Sequence, residues 1–233
     1  MTIPVLERPL FMLDYDGTLA AIVTDPSEAA PHPRVPGLLT ALMARYPVYI
    51  VTGRKVKDLE PLLPLPGLRV IGIHGMEEGA LGSEPRALLA ADALAGLAQL
   101  RARLPALPGL KVEDKGAAIA LHYRNADDEE EVVKALRRWL KALPEGLEAL
   151  WGKKVLELRP QGYSKAKAAV RLAAEHSDKT PVFLGDDTTD EEAFAALGDV
   201  KDSVTIKVGD GASGARYRLA GIDAVIYYLE GYL

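Results

Sequence analysis

The chain predicts an α/β fold: a parallel sheet covered on both faces, interrupted by a smaller α+β module. Three observations predict it. Short apolar runs at 9–13, 48–51, 69–73, 181–184 and 204–208 recur along the ends of the chain. Helix-like stretches fall between several of them, and near-continuous apolar strands alternating with helices are the mark of a buried parallel sheet. The middle of the chain breaks that rhythm and reads helix, strand, strand, helix, strand, strand.

Taken in order, 9–13 is apolar until two carboxylates and a glycine stop it, which makes it a buried strand. The stretches 37–45 and 55–62 are helix-like on either side of strand 48–51, and the proline-rich segment 61–67 before strand 69–73 is a connector. The Ala- and Leu-rich stretch 87–104 opens the middle section as a helix. Two strands, 110–114 and 117–124, turn at Lys115-Gly116. Val132, Val133, Leu136 and Leu140 recur at helical spacing, so 127–143 is an amphipathic helix. Strands 147–151 and 155–159 turn at Gly152-Lys153. Helices at 165–175 and 191–197 then flank strand 181–184. The expected boundaries are 1–78 and 161–233 for the core and 79–160 for the inserted α+β module.

Composition narrows the function. The 233 residues include no cysteine, which excludes disulfides, thiolate chemistry and cysteine-ligated zinc or iron–sulfur sites. The net charge of −5 argues against nucleic acid and anionic membrane as partners. No stretch approaches the ~18 apolar residues of a membrane span, and no basic leader precedes an apolar run. A cytoplasmic protein is therefore expected. Asn125 is the single asparagine, and Gln99 and Gln161 are the only glutamines, which fits a thermophilic source or a GC-rich genome.

Four clusters carry the chemistry. They are Asp14 with Asp16, Thr52-Gly53-Arg54, Lys165, and Asp186-Asp187 with Asp190. Each falls at a strand end or a helix start, positions that a parallel sheet brings to one crevice. Asp14, Asp186 and a backbone carbonyl could hold a hard cation such as Mg²⁺. Lys165, the Thr52 hydroxyl and nearby backbone N–H groups could neutralise a phosphoryl group. Asp14 could attack phosphorus while Asp16 moves protons. Any one acidic residue here would pass as a helix cap or a turn former, but four clusters in this order do not.

These residues resemble the four ordered motifs of the haloacid dehalogenase-like (HAD) phosphohydrolases, and the resemblance covers nearly the whole chain. It implies a Rossmann-like core with Asp14 as nucleophile and Asp16 as general acid and base. Thr52, Gly53 and Lys165 would lie on phosphate. Mg²⁺ would sit on Asp14, Asp186 and the carbonyl of Asp16, with Asp187 and Asp190 supporting it or holding Lys165. The inserted module resembles the cap of one branch. Within that branch, Glu113-Asp-Lys115-Gly116, His122-Tyr-Arg124, Gly72-Ile-His74-Gly75 and Lys154-Val-Leu-Glu157-Leu-Arg159-Pro160 are similar to the trehalose-6-phosphate phosphatase family. The resemblance implies sugar contacts from Glu113, Lys115 and Glu157, with His74 and Arg124 as further candidates. One departure is Ala166, where the family usually has glycine.

Strand alternation places Ala118, Ala120, His122 and Arg124 on one face and Ile119, Leu121 and Tyr123 on the other. Val155, Glu157 and Arg159 likewise oppose Leu156 and Leu158. Small and charged residues are expected to face outward and read sugar hydroxyls. The expected function is Mg²⁺-dependent hydrolysis of trehalose 6-phosphate through an aspartyl-phosphate. The alternatives are another sugar-phosphate phosphatase or phosphomutase of the same architecture, or a non-catalytic sugar-phosphate sensor. Any synthase would be a separate chain, and a monomer is the simplest expectation.

Overall fold

The structure, a computed structural model, describes residues 3–152 and 154–233. The first part of the chain gives β1 (Pro9–Leu13), α1 (Val35–Met43), β2 (Val48–Val51), α2 (Val56–Leu59), β3 (Arg69–Gly72), β4 (Glu77–Ala80) and β5 (Arg86–Ala87). The middle gives α3 (Ala91–Arg101), β6 (Lys111–Asp114), β7 (Ile119–His122), α4 (Glu129–Trp139), β8 (Leu147–Gly152) and β9 (Val155–Pro160). The last part gives α5 (Lys165–Glu175), β10 (Thr180–Gly185), α6 (Thr188–Gly198), β11 (Val204–Val208), β12 (Tyr217–Leu219) and α7 (Ile222–Glu230). Lys153, half of the expected Gly152-Lys153 turn, lies outside the described residues.

The chain forms two compact units, Met1–Arg86 with Tyr163–Leu233, and Ala87–Gly162. In the first unit the sheet order is β12-β11-β10-β1-β2-β3-β4-β5. The pairs from β12 to β3 are parallel, while β4 runs antiparallel to β3. Alternation divides the core. Phe11, Leu13, Ile50 and Leu184 pack with α1, α2 and α7 on one face. Leu10, Met12, Tyr49, Val51 and Phe183 pack with α5 and α6 on the other. All five residues of β1 are buried, as a strand covered on both faces requires.

Several expected boundaries move. The module does not start at 79, because Glu77–Ala80 pairs residue for residue with β3 and so belongs to the core sheet. The stretch 55–62 shortens to a single turn, since Pro61 and Pro64 prevent continuation. Helix α6 begins three residues before the expected 191, because Asp187 caps it. The strand expected at 69–73 ends at Gly72, and Ile73 and His74 turn with φ of 47° and 52°. Helix α7 went unread, although Val225, Ile226 and Leu229 are buried at helical spacing.

The second unit is an antiparallel sheet, β6-β7-β9-β8, whose Ile119, Leu121, Leu156 and Leu158 pack on α3 and α4. Its other face departs from expectation. Ala118 and Ala120 are buried, because Ala120 lies between Glu113 and Glu157 in register and the longer side chains cover it. Arg159 is buried as well, donating to Glu148 at 2.7 Å. No helix among the described residues is long and apolar enough to cross a membrane.

Candidate active site

The site stands at the carboxyl ends of β1, β2 and β10. β1 releases the chain at Asp14, whose N–H donates to the carbonyl of Leu184 at 2.9 Å. Tyr15 turns into the core and donates its hydroxyl to Ala29 at 2.7 Å. Gly17 has φ of 78°, and a Cβ there would lie 2.1 Å from the Asp186 carboxylate. Glycine is therefore required twice at this position, by backbone conformation and by space.

Lys165 opens α5 and is almost wholly buried. Ser164 caps the helix by accepting from Lys167 N–H. The ammonium donates to Asp14 Oδ1 at 2.7 Å and Asp190 Oδ1 at 2.8 Å, with Asp187 Oδ1 at 3.9 Å. Asp190 Oδ2 accepts from the N–H groups of Asp186 and Asp187 at 2.9 and 3.0 Å. Asp187 in turn accepts from Asp190 N–H, closing a capping box at the start of α6. Lys207, buried in β11, donates to the carbonyl of Asp186.

The electrostatics reveal an excess of negative charge. Burial and the neighbouring Asp187 and Asp186 push Asp14 up to about 7 despite Lys165. Burial, then Asp190 and Asp187, push Asp186 up to about 6. Burial, then Asp14 and Asp187, push Asp190 up to about 8. Burial works against the Lys165 charge, but Asp14, Asp190 and Asp187 outweigh it and hold the ammonium above its ordinary value. Burial also opposes ionisation of Asp187, yet Lys165 and the hydrogen bonds from Thr189 and Asp190 keep its carboxyl low.

A further cation would relieve this cluster. Carboxylate oxygens of Asp14, Asp186 and Asp190 lie within 4.8 Å of one another. Both oxygens of Asp190 already accept hydrogen bonds, so the pair free to ligate is Asp14 and Asp186. An all-oxygen donor set suits Mg²⁺.

Thr52 and Asp16 complete the crevice. Thr52 follows β2, and its hydroxyl accepts from Arg54 N–H at 3.1 Å. Arg54 forks onto both oxygens of Asp16 at 2.6 Å and lies over the Tyr15 ring, 5.4 Å from its centroid. Gly53 leaves space for His74, whose ring a Cβ would approach to 2.7 Å. Arg54 and Lys207 received no role from sequence. A lysine inside the buried run Val204-Thr-Ile-Lys207-Val208 was the available signal for the second.

The expected sugar-reading residues fall in three places. Glu113, Lys115 and Glu157 lie together in the second unit, where Lys115 approaches Glu157 at 3.4 Å and His122 meets Glu113 at 2.9 Å. Arg124 lies beyond β7 and is exposed. Neither Glu129 nor Glu130 makes an ion pair with it among the described residues, and Glu129 pairs with Lys154. His74 belongs to the first unit, beside Gly53.

Comparison with known proteins adds four findings. The family model described as trehalose-phosphatase matches residues 12–223. A trehalose-phosphate phosphatase of Mycobacterium marinum is 37% identical over 238 residues, covering 94% of this chain but 59% of the relative. The trehalose-6-phosphate phosphatase of Escherichia coli K12 is 34% identical over 242 residues, covering 99% of this chain and 91% of the relative. The crystal structure of a trehalose-6-phosphate phosphatase related protein superposes with a TM-score of 0.75 at 29% identity, covering 95% of this chain and 96% of that one.

Proposed function

Because this chain belongs to the trehalose-phosphatase family, we propose that it hydrolyses trehalose 6-phosphate to trehalose and phosphate through an aspartyl-phosphate on Asp14. The observation that carries this reading is the buried Asp14–Lys165–Asp190 cluster beside Asp186. Asp14 and Asp186, with the carbonyl of Asp16, would hold Mg²⁺, which when bound neutralises phosphoryl oxygens.

Asp14 attacks phosphorus, and the bond from phosphorus to the sugar oxygen breaks. Asp16 gives its proton to that oxygen. It then takes a proton from the water that attacks the acyl-phosphate, which restores Asp14 and frees phosphate. Thr52, the Gly53 N–H and Lys165 bind the phosphoryl oxygens. Lys165 also holds Asp14 in position for attack. Asp190 and Asp187 fix Lys165 and the backbone of Asp186.

Glu113, Lys115 and Glu157 read the sugar hydroxyls, with His74 and Arg124 as further contacts. The polar surface over Ala120 supports this role, and binding of the remote sugar helps to orient the phosphate. The protein works in the cytoplasm as a monomer, receiving substrate from a separate synthase. A single light-scattering mass near 25.1 kDa would agree with the monomer, and a dimer mass would refute it.

Asp14→Asn tests the chemistry. Phosphate release should fall by roughly 10⁴-fold or more while the circular dichroism spectrum is unchanged. Turnover near wild type would remove Asp14 from the role of nucleophile. Glu157→Ala tests the substrate: kcat/KM should drop at least tenfold for trehalose 6-phosphate and little for p-nitrophenyl phosphate. Equal losses on both esters would count against sugar reading by Glu157.

A further inference from the structure

A second polar site lies at the other end of the core sheet. A cavity of about 260 Å³ there is lined by residues that include Met43, Tyr46, Pro47, Arg69 and His176, with no carboxylate among the lining residues. Arg69 is the first residue of β3, whereas Thr52 and Asp14 follow the far ends of β2 and β1. His176 caps the C-terminus of α5, whose first residue is Lys165. Eleven helical residues at 1.5 Å each put this cavity about 16 Å from Lys165.

The polar groups are held in advance. Tyr49 is buried, and its hydroxyl accepts from Arg69 Nη1 at 2.5 Å and meets His176 Nε2 at 3.0 Å. The Arg69 guanidinium lies over the Tyr49 ring, 5.5 Å from its centroid. The rest of its fork has no acceptor, and no carboxylate pairs with it, among the described residues.

Arg69 itself is exposed, in a chain of net charge −5. The surrounding strand starts are basic too: Arg8 precedes β1 and Lys179 precedes β10. The nearby acid Asp178 is already taken by those two. A guanidinium held by Tyr49, with no counter-ion among the described residues, in a cavity lined by Met43, Tyr46 and Pro47, suits a small oxyanion.

We propose that this cavity binds a small oxyanion, carboxylate or phosphate, through Arg69 and His176 braced by Tyr49. The site is independent of the hydrolytic reading.

The test is nuclear magnetic resonance of the histidine rings in the full-length, Mg²⁺-loaded protein. There are four histidines, so His176 can be assigned by substitution. Inorganic phosphate and propionate serve as separate probes, one for each headgroup. At least one should shift the His176 resonance saturably. Arg69→Gln should weaken that binding at least tenfold, and Arg69→Lys, which keeps the charge but loses the fork, should weaken it less. Neither change should alter inhibition of turnover by phosphate at the catalytic site. If neither probe moves His176 at tens of millimolar, or the shift persists unchanged in Arg69→Gln, the site is overturned. A His176 shift that tracks phosphate occupancy of the catalytic site would overturn it equally.

Discussion

At Gly17 the geometry leaves little freedom. A methyl group there would meet the Asp186 carboxylate at 2.1 Å, and φ of 78° already disfavours any side chain. Gly17→Ala should therefore displace Asp186 and weaken Mg²⁺ binding at least tenfold by isothermal titration calorimetry. Wild-type affinity would show that Mg²⁺ binding does not depend on Asp186 standing where it does. Arg54 offers a second test at this scale. It presents two parallel donors to Asp16, and a lysine reproduces the charge but not the fork. Arg54→Lys should lower kcat about tenfold, the kinetic equivalent of ~1.4 kcal/mol, with a smaller change in KM. An unchanged kcat would mean that Asp16 needs no such positioning. Sequence exposed Asp14, Asp16 and Lys165 because charged residues at strand ends and helix starts are conspicuous. It hid the Arg54–Asp16 pair, since those residues are 38 apart in the chain and meet only through the packing of β1 beside β2.

At the scale of the element, α6 shows how one residue serves both the helix and the site. Asp187 caps the helix and stands 3.9 Å from Lys165. Asp187→Ala should cost about 1 kcal/mol by urea denaturation, whereas Asp187→Asn, which can still cap, should retain most of that stability. Equal losses would assign the effect to charge rather than to capping. Element boundaries were legible where local chemistry sets them, as for β1, β2 and α5. They failed where a partner strand decides. Glu77–Ala80 has little strand character alone and is a strand because β3 offers it a complete hydrogen-bonding edge. The short edge strand Tyr217–Leu219, paired with β11, was missed for the same reason.

Across the whole molecule, the carboxylate cluster should set the response to pH. In metal-free protein Asp14, Asp186 and Asp190 titrate above the ordinary carboxylate value of 3.8, so between about pH 4 and pH 8 the folded state binds more protons than the unfolded chain. Stability must then fall as pH rises through that window. Asp187, whose carboxyl is held low, contributes the opposite slope only below it. In chelator the thermal midpoint should fall by several degrees from pH 5 to pH 8, at about 2–4 °C per kcal/mol for a chain of this size. Millimolar Mg²⁺ should restore it, and a flat or rising midpoint in chelator would contradict the clustered charges. By itself the sequence determined the α/β class, the inserted α+β module and the motif residues, because apolar periodicity and charges at element ends are local properties. The tertiary structure decided which carboxylates stand within 4.8 Å of one another, that Arg54 grips Asp16, that Ala120 and Arg159 are covered, and that Arg69 stands over Tyr49. Each of these depends on strand register and burial, and those are fixed only when distant segments pack together.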